Sequence, residues 1–142
     1  MVDPRGMCRK HLLGEHNEIH MFVGSLRAKT SVGGYIKKGL LEIHRLEERH
    51  IELAQELKHR GYQHESPLNF TSRNPKFEFR GYVDARRSYA DLHTRCATCK
   101  ARFKRILGKG KSWIQLRKQV NDIFSVAVWK AYTNTVMEKS VL

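Results

Sequence analysis

His11-Leu12-Leu13-Gly14-Glu15-His16-Asn17-Glu18-Ile19-His20-Met21-Phe22-Val23 is the stretch on which the reading of this chain turns. At about 100° per residue, Leu12, Ile19, Val23 and Leu26 fall on one narrow arc, the pattern of an amphipathic helix with one side against a core. Roughly a quarter-turn away, His11, Glu18 and Phe22 stack above one another, because residues seven and eleven apart return to nearly the same heading. Gly14 lies one turn before Glu18 on that side. A glycine costs about 1 kcal/mol relative to alanine inside a helix, so its place beside a carboxylate predicts that something bulky approaches the backbone there. The plainer alternative is a surface glutamate beside an incidental glycine.

Outward from this helix, residues 1–10 hold Pro4, Arg5, Gly6, Arg9 and Lys10 and read as a short basic lead-in. On the other side, the segment from Arg27 to Gly34 combines two glycines with Thr30, Ser31 and Lys29, a loop suited to phosphate contact. A second helix is predicted from Tyr35 or Gly39 to His59, closed by Gly61. Its apolar arc is Ile36, Leu40, Ile43, Leu46, Ile51, Leu53, Ala54 and Leu57. Glu42, Arg45, Glu48, Arg49, Glu52 and Glu56 are expected on the opposite side, and His50 within the arc. Residues 63–83 contain Pro67, Pro75, Asn69, Asn74 and Gly81, which break any period. They predict a long loop whose Lys76, Phe77, Phe79, Arg80 and Tyr82 could stack bases and neutralise phosphates.

A third helix is predicted over Asp84 to Leu107, with Ala85, Tyr89, Leu92, Cys96, Cys99, Phe103 and Ile106 in one stripe. That places both thiols of Cys96-Ala97-Thr98-Cys99 in mid-helix facing the core. With no second cysteine pair, they read as small buried hydrophobes and not as a metal or redox pair. Gly108-Lys109-Gly110-Lys111-Ser112 is not a phosphate loop, since Arg105 stands where the pattern needs its first glycine and a helix precedes it. A last helix carries Trp113, Leu116, Val120, Ile123, Phe124, Ala127 and Ala131 on one face. With no strand-like alternation and no repeat, the expected class is all-α, one domain over residues 1–142.

Charge narrows the partner. The 142 residues carry 27 Lys and Arg against 14 Asp and Glu, a net +13, which attracts polyanions and places nucleic acid ahead of an anionic membrane surface. No run of about 18 apolar residues and no secretory leader are visible, and three cysteines, an odd number, make no disulfide framework and fit a reducing compartment, so a cytosolic protein is expected. His16 and His20 share one helix face with Glu15 adjacent, a possible two-ligand metal face. It lacks a third ligand, and Asn17 follows His16 where the zinc-protease pattern has its glutamate. Neither metal nor organic cofactor is expected.

Three pieces of the chain resemble the pyrimidine-dimer DNA glycosylase (endonuclease V) family. They are His11 to Glu18, Arg49 to Leu53 continuing through Lys58-His59-Arg60-Gly61-Tyr62, and Phe77-Glu78-Phe79-Arg80-Gly81, in family order between about residues 8 and 107. The resemblance implies a compact helical enzyme that breaks the glycosidic bond of a cyclobutane pyrimidine dimer and nicks the abasic site by β-elimination. It needs no cofactor. In the family the N-terminal α-amine attacks the sugar C1′, and its pKa of about 7.7–8.0 leaves a usable neutral fraction. By position Glu18 matches the catalytic glutamate and His11 a histidine of the same site, while His50 matches a polar residue near the extruded nucleotide.

The chain also departs from that family. Val2 precedes His11 by only nine positions and replaces the usual threonine; it is small enough for Met1 to be removed, which makes it the candidate nucleophile. Asn17 and Met21 replace arginines that flank the glutamate, so phosphate contact falls to Arg5, Lys10, Arg27 and Lys29, with Asn17, His50 and Arg80 completing the expected DNA-binding set. The aromatic C-terminus of the family is replaced by Lys111-Ser112-Trp113 and a further helix. The expected partner is double-stranded DNA with UV lesions, met by a monomer at the nucleoid. The rival is a non-catalytic basic helical nucleic-acid-binding protein on the same scaffold.

Overall fold

The computed structural model describes residues 1–71 and 81–108. Among them, a 3-10 turn over Pro4–Gly6 leads into α1 (Arg9–Arg27), a short α2 (Gly33–Lys37), a second 3-10 turn over Ile43–Arg45, α3 (Leu46–His59), α4 (Ala85–Arg95) and α5 (Ala97–Leu107). There is no strand among the described residues, and the fold is all-α. The chain divides into two units, Met1–Phe103 and Lys104–Leu142; of the second only the end of α5 and Gly108 are described. The expected last helix, and the Lys109-Gly110-Lys111-Ser112 stretch before it, lie outside the described residues, as does Arg80.

The first unit is organised by α1 packing on α3. Leu12, Ile19 and Val23 are buried together with Leu46, Leu53 and Leu57, as their helical spacing predicts; Leu26 is half-buried. Each fully buried leucine contributes about 1.5–3 kcal/mol. The lead-in is not a solvated tail, since Val2, Met7 and Cys8 are also buried. One guanidinium explains why: Arg60, just past α3, donates to the carbonyls of Met7 (2.8 Å), Pro4 (3.0 Å) and Arg5 (3.3 Å). Gly6 completes the seam, because a β-carbon on it would lie inside the ring of the fully buried Phe103. Gly6→Ala is therefore expected to cost roughly 1–3 kcal/mol. Urea unfolding would show this, and Phe103→Leu in the same chain should recover part of the loss as a coupling term.

Three expectations are corrected. The second helix is not continuous, because the chain turns at Gly39 with φ +67°, a conformation that β-carbons disfavour, and restarts at the 3-10 turn before α3. The third predicted helix breaks at Cys96, which is extended (φ −132°, ψ 105°), so its thiol is not in mid-helix. Within α3 and its approach, Arg49, Glu42 and Glu56 are buried and not on the solvent side. Arg49 occupies the slot between Leu46 and Leu53, where an apolar residue is the norm. Glu42 accepts the Val83 N–H at 2.7 Å.

Candidate active site

A cavity of about 400 Å³ opens beside α1 and is lined by His11, Gly14, Glu15, Glu18, Ile19 and Phe22 from that helix. This is the face on which the sequence stacks His11, Gly14, Glu18 and Phe22. Met1 and Val2 line the same cavity, as do Lys10, Arg49 and Arg95. The size falls within the range of small-molecule pockets. Val2, His11 and Glu18, the three expected catalytic residues, thus share one space. Among the described residues, nothing beyond the helix's own backbone and the adjoining residues comes within 4 Å of the β-carbon position of Gly14, so the glycine faces open space. Gly14→Ala should raise stability by roughly 1 kcal/mol, read as a rise of a few degrees in Tm.

Glu18 is exposed at this cavity, and its pKa is raised, first by partial desolvation and then by the neighbouring charge of Glu15. Glu15 itself is held by Arg49, whose guanidinium donates through Nε to Oε1 (2.6 Å) and through Nη2 to Oε2 (3.0 Å). Arg49 Nη1 reaches Glu52 Oε2 at 2.7 Å. Burial opposes the charge on Arg49; the two carboxylates outweigh it, and its pKa rises. The triad fixes the carboxylates of Glu15 and Glu52, while their neighbour Glu18 has no ion pair among the described residues. Sequence reading missed Arg49; the signal was its spacing from Leu46 and Leu53, which puts it inside the arc.

The expected DNA-binding residues are dispersed. Arg5 is exposed and paired with Asp3 at 2.6 Å; Lys10 lines the cavity; Asn17, Arg27 and Lys29 are exposed. Arg27 donates to the Asn69 carbonyl. His50 is elsewhere: it is buried, and its Nε2 lies 3.1 Å from His16 Nε2. His64 Nε2, from the segment after α3, is 2.9 Å from the same atom, and the ring of His20 stacks within 4.8 Å of His16. The nitrogens that converge with His16 thus come from α3 and the following loop, and His20, the other member of the expected pair, supplies none of them. Burial, reinforced by the neighbouring imidazoles, pushes His50 down to about 4 and lowers His16; burial and then Lys58 lower His64. Lowering favours the uncharged ring at His16, His50 and His64, and their three converging nitrogens could accept a divalent cation.

What the fold and cavity define is a basic all-α unit with a carboxylate-bearing cleft at the start of the chain. The family model for pyrimidine dimer DNA glycosylase matches residues 1–70, which carry the lead-in, α1, α3 and every expected site residue except Arg80. The resemblance holds over that portion; Phe77 to Gly81 lie beyond it. No curated protein and no solved structure matches the chain. Among the described residues, no helix is long and apolar enough to cross a membrane.

Proposed function

We propose that the protein is a DNA repair glycosylase that removes cyclobutane pyrimidine dimers and nicks the resulting abasic site. The observation that carries this reading is the meeting of Val2, His11 and Glu18 at one cavity, within the residues that match the glycosylase family. With Met1 removed, the α-amine of Val2 is the nucleophile. It forms a bond to the sugar C1′ as the glycosidic bond breaks, giving an imine; loss of the C2′ proton then expels the 3′-phosphate. Glu18, as carboxylate, stabilises the cationic sugar and assists proton transfer, and His11 orients the sugar or a phosphate. Lys10, Arg5, Asn17, Arg27 and Lys29 hold the strand through phosphates. His50, buried in its cluster, acts on the nucleotide only indirectly, and Arg80 is a further phosphate contact. The protein works as a monomer on nucleoid DNA in the cytoplasm.

Borohydride should trap a covalent complex with UV-irradiated duplex and not with undamaged duplex, and peptide mapping should place the adduct on the first peptide. Equal affinity for both duplexes, with steep salt dependence and no nicking, would instead establish the non-catalytic binding protein.

A further inference from the structure

Four metal-ligating side chains from distant parts of the sequence meet at one point below the start of α1. Cys8, the residue that caps α1, and His11 in its first turn contribute a Cys-x-x-His pair. Cys96, at the break between α4 and α5, and Cys99 in the first turn of α5 contribute Cys-x-x-Cys. All four donor atoms lie within 4.8 Å of one another. His11 Nδ1 is 3.2 Å from Cys8 Sγ and 3.3 Å from Cys99 Sγ, and Cys8 Sγ is 3.9 Å from Cys96 Sγ. A tetrahedral Zn²⁺ with bonds of about 2.3 Å to sulfur and about 2.0–2.1 Å to nitrogen sets sulfur–sulfur edges of about 3.8 Å and sulfur–nitrogen edges of about 3.6 Å. The two observed sulfur–nitrogen edges, 3.2 and 3.3 Å, are slightly shorter than this and the sulfur–sulfur edge of 3.9 Å is close to it, so the four donors need only a small outward adjustment to hold the ion.

Two further features fit a metal better than a packed group of thiols. The backbone N–H of Cys8 points at Cys99 Sγ (3.2 Å) and that of Cys99 at Cys96 Sγ (3.4 Å). Such N–H donors stabilise thiolates, the form in which cysteine binds metal. Second, the helix breaks at Cys96 and nowhere else between Ala85 and Leu107. A straight helix would carry residues 96 and 99 on one side at fixed spacing; the extended Cys96 brings its sulfur back over the amino end of α5.

We propose that Cys8, His11, Cys96 and Cys99 form a Cys₃His site for a structural Zn²⁺. Four protein ligands fill the tetrahedron, leaving no open position for substrate, so the ion ties the start of α1 to the α4–α5 junction across 88 residues of sequence. Metal on Nδ1 also leaves Nε2 as the protonated nitrogen of the neutral His11 ring, fixing its tautomer at the cavity. The site stands whether or not the chain cleaves DNA.

The full chain, purified without chelators, should contain about one zinc per molecule. A strong chelator should lower Tm by about 10 °C or more. Replacement of zinc by Co²⁺ should give the intense d–d bands of a tetrahedral ion together with thiolate-to-cobalt charge transfer. Cys96→Ser should lose or weaken the metal and reduce the charge-transfer band. The unaltered chain decides the matter even if that variant does not fold. Absence of metal, a Cys8–Cys96 disulfide, or bound cobalt lacking thiolate charge transfer, as at His16, His50 and His64, would each overturn the assignment. None of these readouts involves DNA, so they are independent of the nicking assay.

Discussion

Glu18→Gln is expected to reduce nicking of UV-irradiated plasmid by about 10²–10⁴-fold, the span attributable to a positioned acid–base group, while binding to the same DNA changes little. The amide keeps the size of the side chain and removes only its charge and its proton. Because Glu18 is exposed on α1 and has no ion pair among the described residues, its replacement should not lower the urea midpoint. Single-turnover nicking alongside a gel-shift titration separates the two effects. A variant that nicks at the parental rate would remove Glu18 from the chemistry and with it the reason for linking the cavity to catalysis.

Arg49→Ala should have the largest effect on stability. It deletes a guanidinium that is 2% exposed, leaves Glu15 without its cation and leaves Glu52 with only the longer contact to Arg45 at 3.7 Å. Breaking a buried pair from one side costs about 3–5 kcal/mol, since the remaining charge stays desolvated. Denaturant unfolding measures this directly. Losing Arg49 also frees the charge of Glu15, which already acts on Glu18, so the Glu18 pKa should rise further and shift the acid limb of any Glu18-dependent activity toward higher pH. A loss below about 1 kcal/mol would mean that the triad is more hydrated than its burial implies.

The parts of the site carried by one helix were legible from its periodicity. His11, Gly14, Glu18 and Phe22 fall on one heading, and the cavity lies along it. The all-α class followed likewise from 3.6-residue spacing. What could not be read were the meetings between segments far apart in sequence. Arg49 looked like part of a charged face because its partner Glu15 is 34 positions away. The two pairs at Cys8/His11 and Cys96/Cys99 each looked weak alone, and reading the second as mid-helix hid the turn at Cys96. His64 emerged from a loop without periodic signal to meet His16. Helix breaks at Gly39 and Cys96 escaped for the same reason: local spacing continued through them, and tertiary contacts decided otherwise.

The grip of Arg60 on the carbonyls of Pro4, Arg5 and Met7 has a bearing on how any large partner meets this protein. A chain start hydrogen-bonded at three carbonyls to the end of a core helix can leave its place only by breaking all three bonds, which disfavours swinging out. Whatever docks against Val2 must therefore bring its own deformation, and the work of approach falls on the visitor instead of the host.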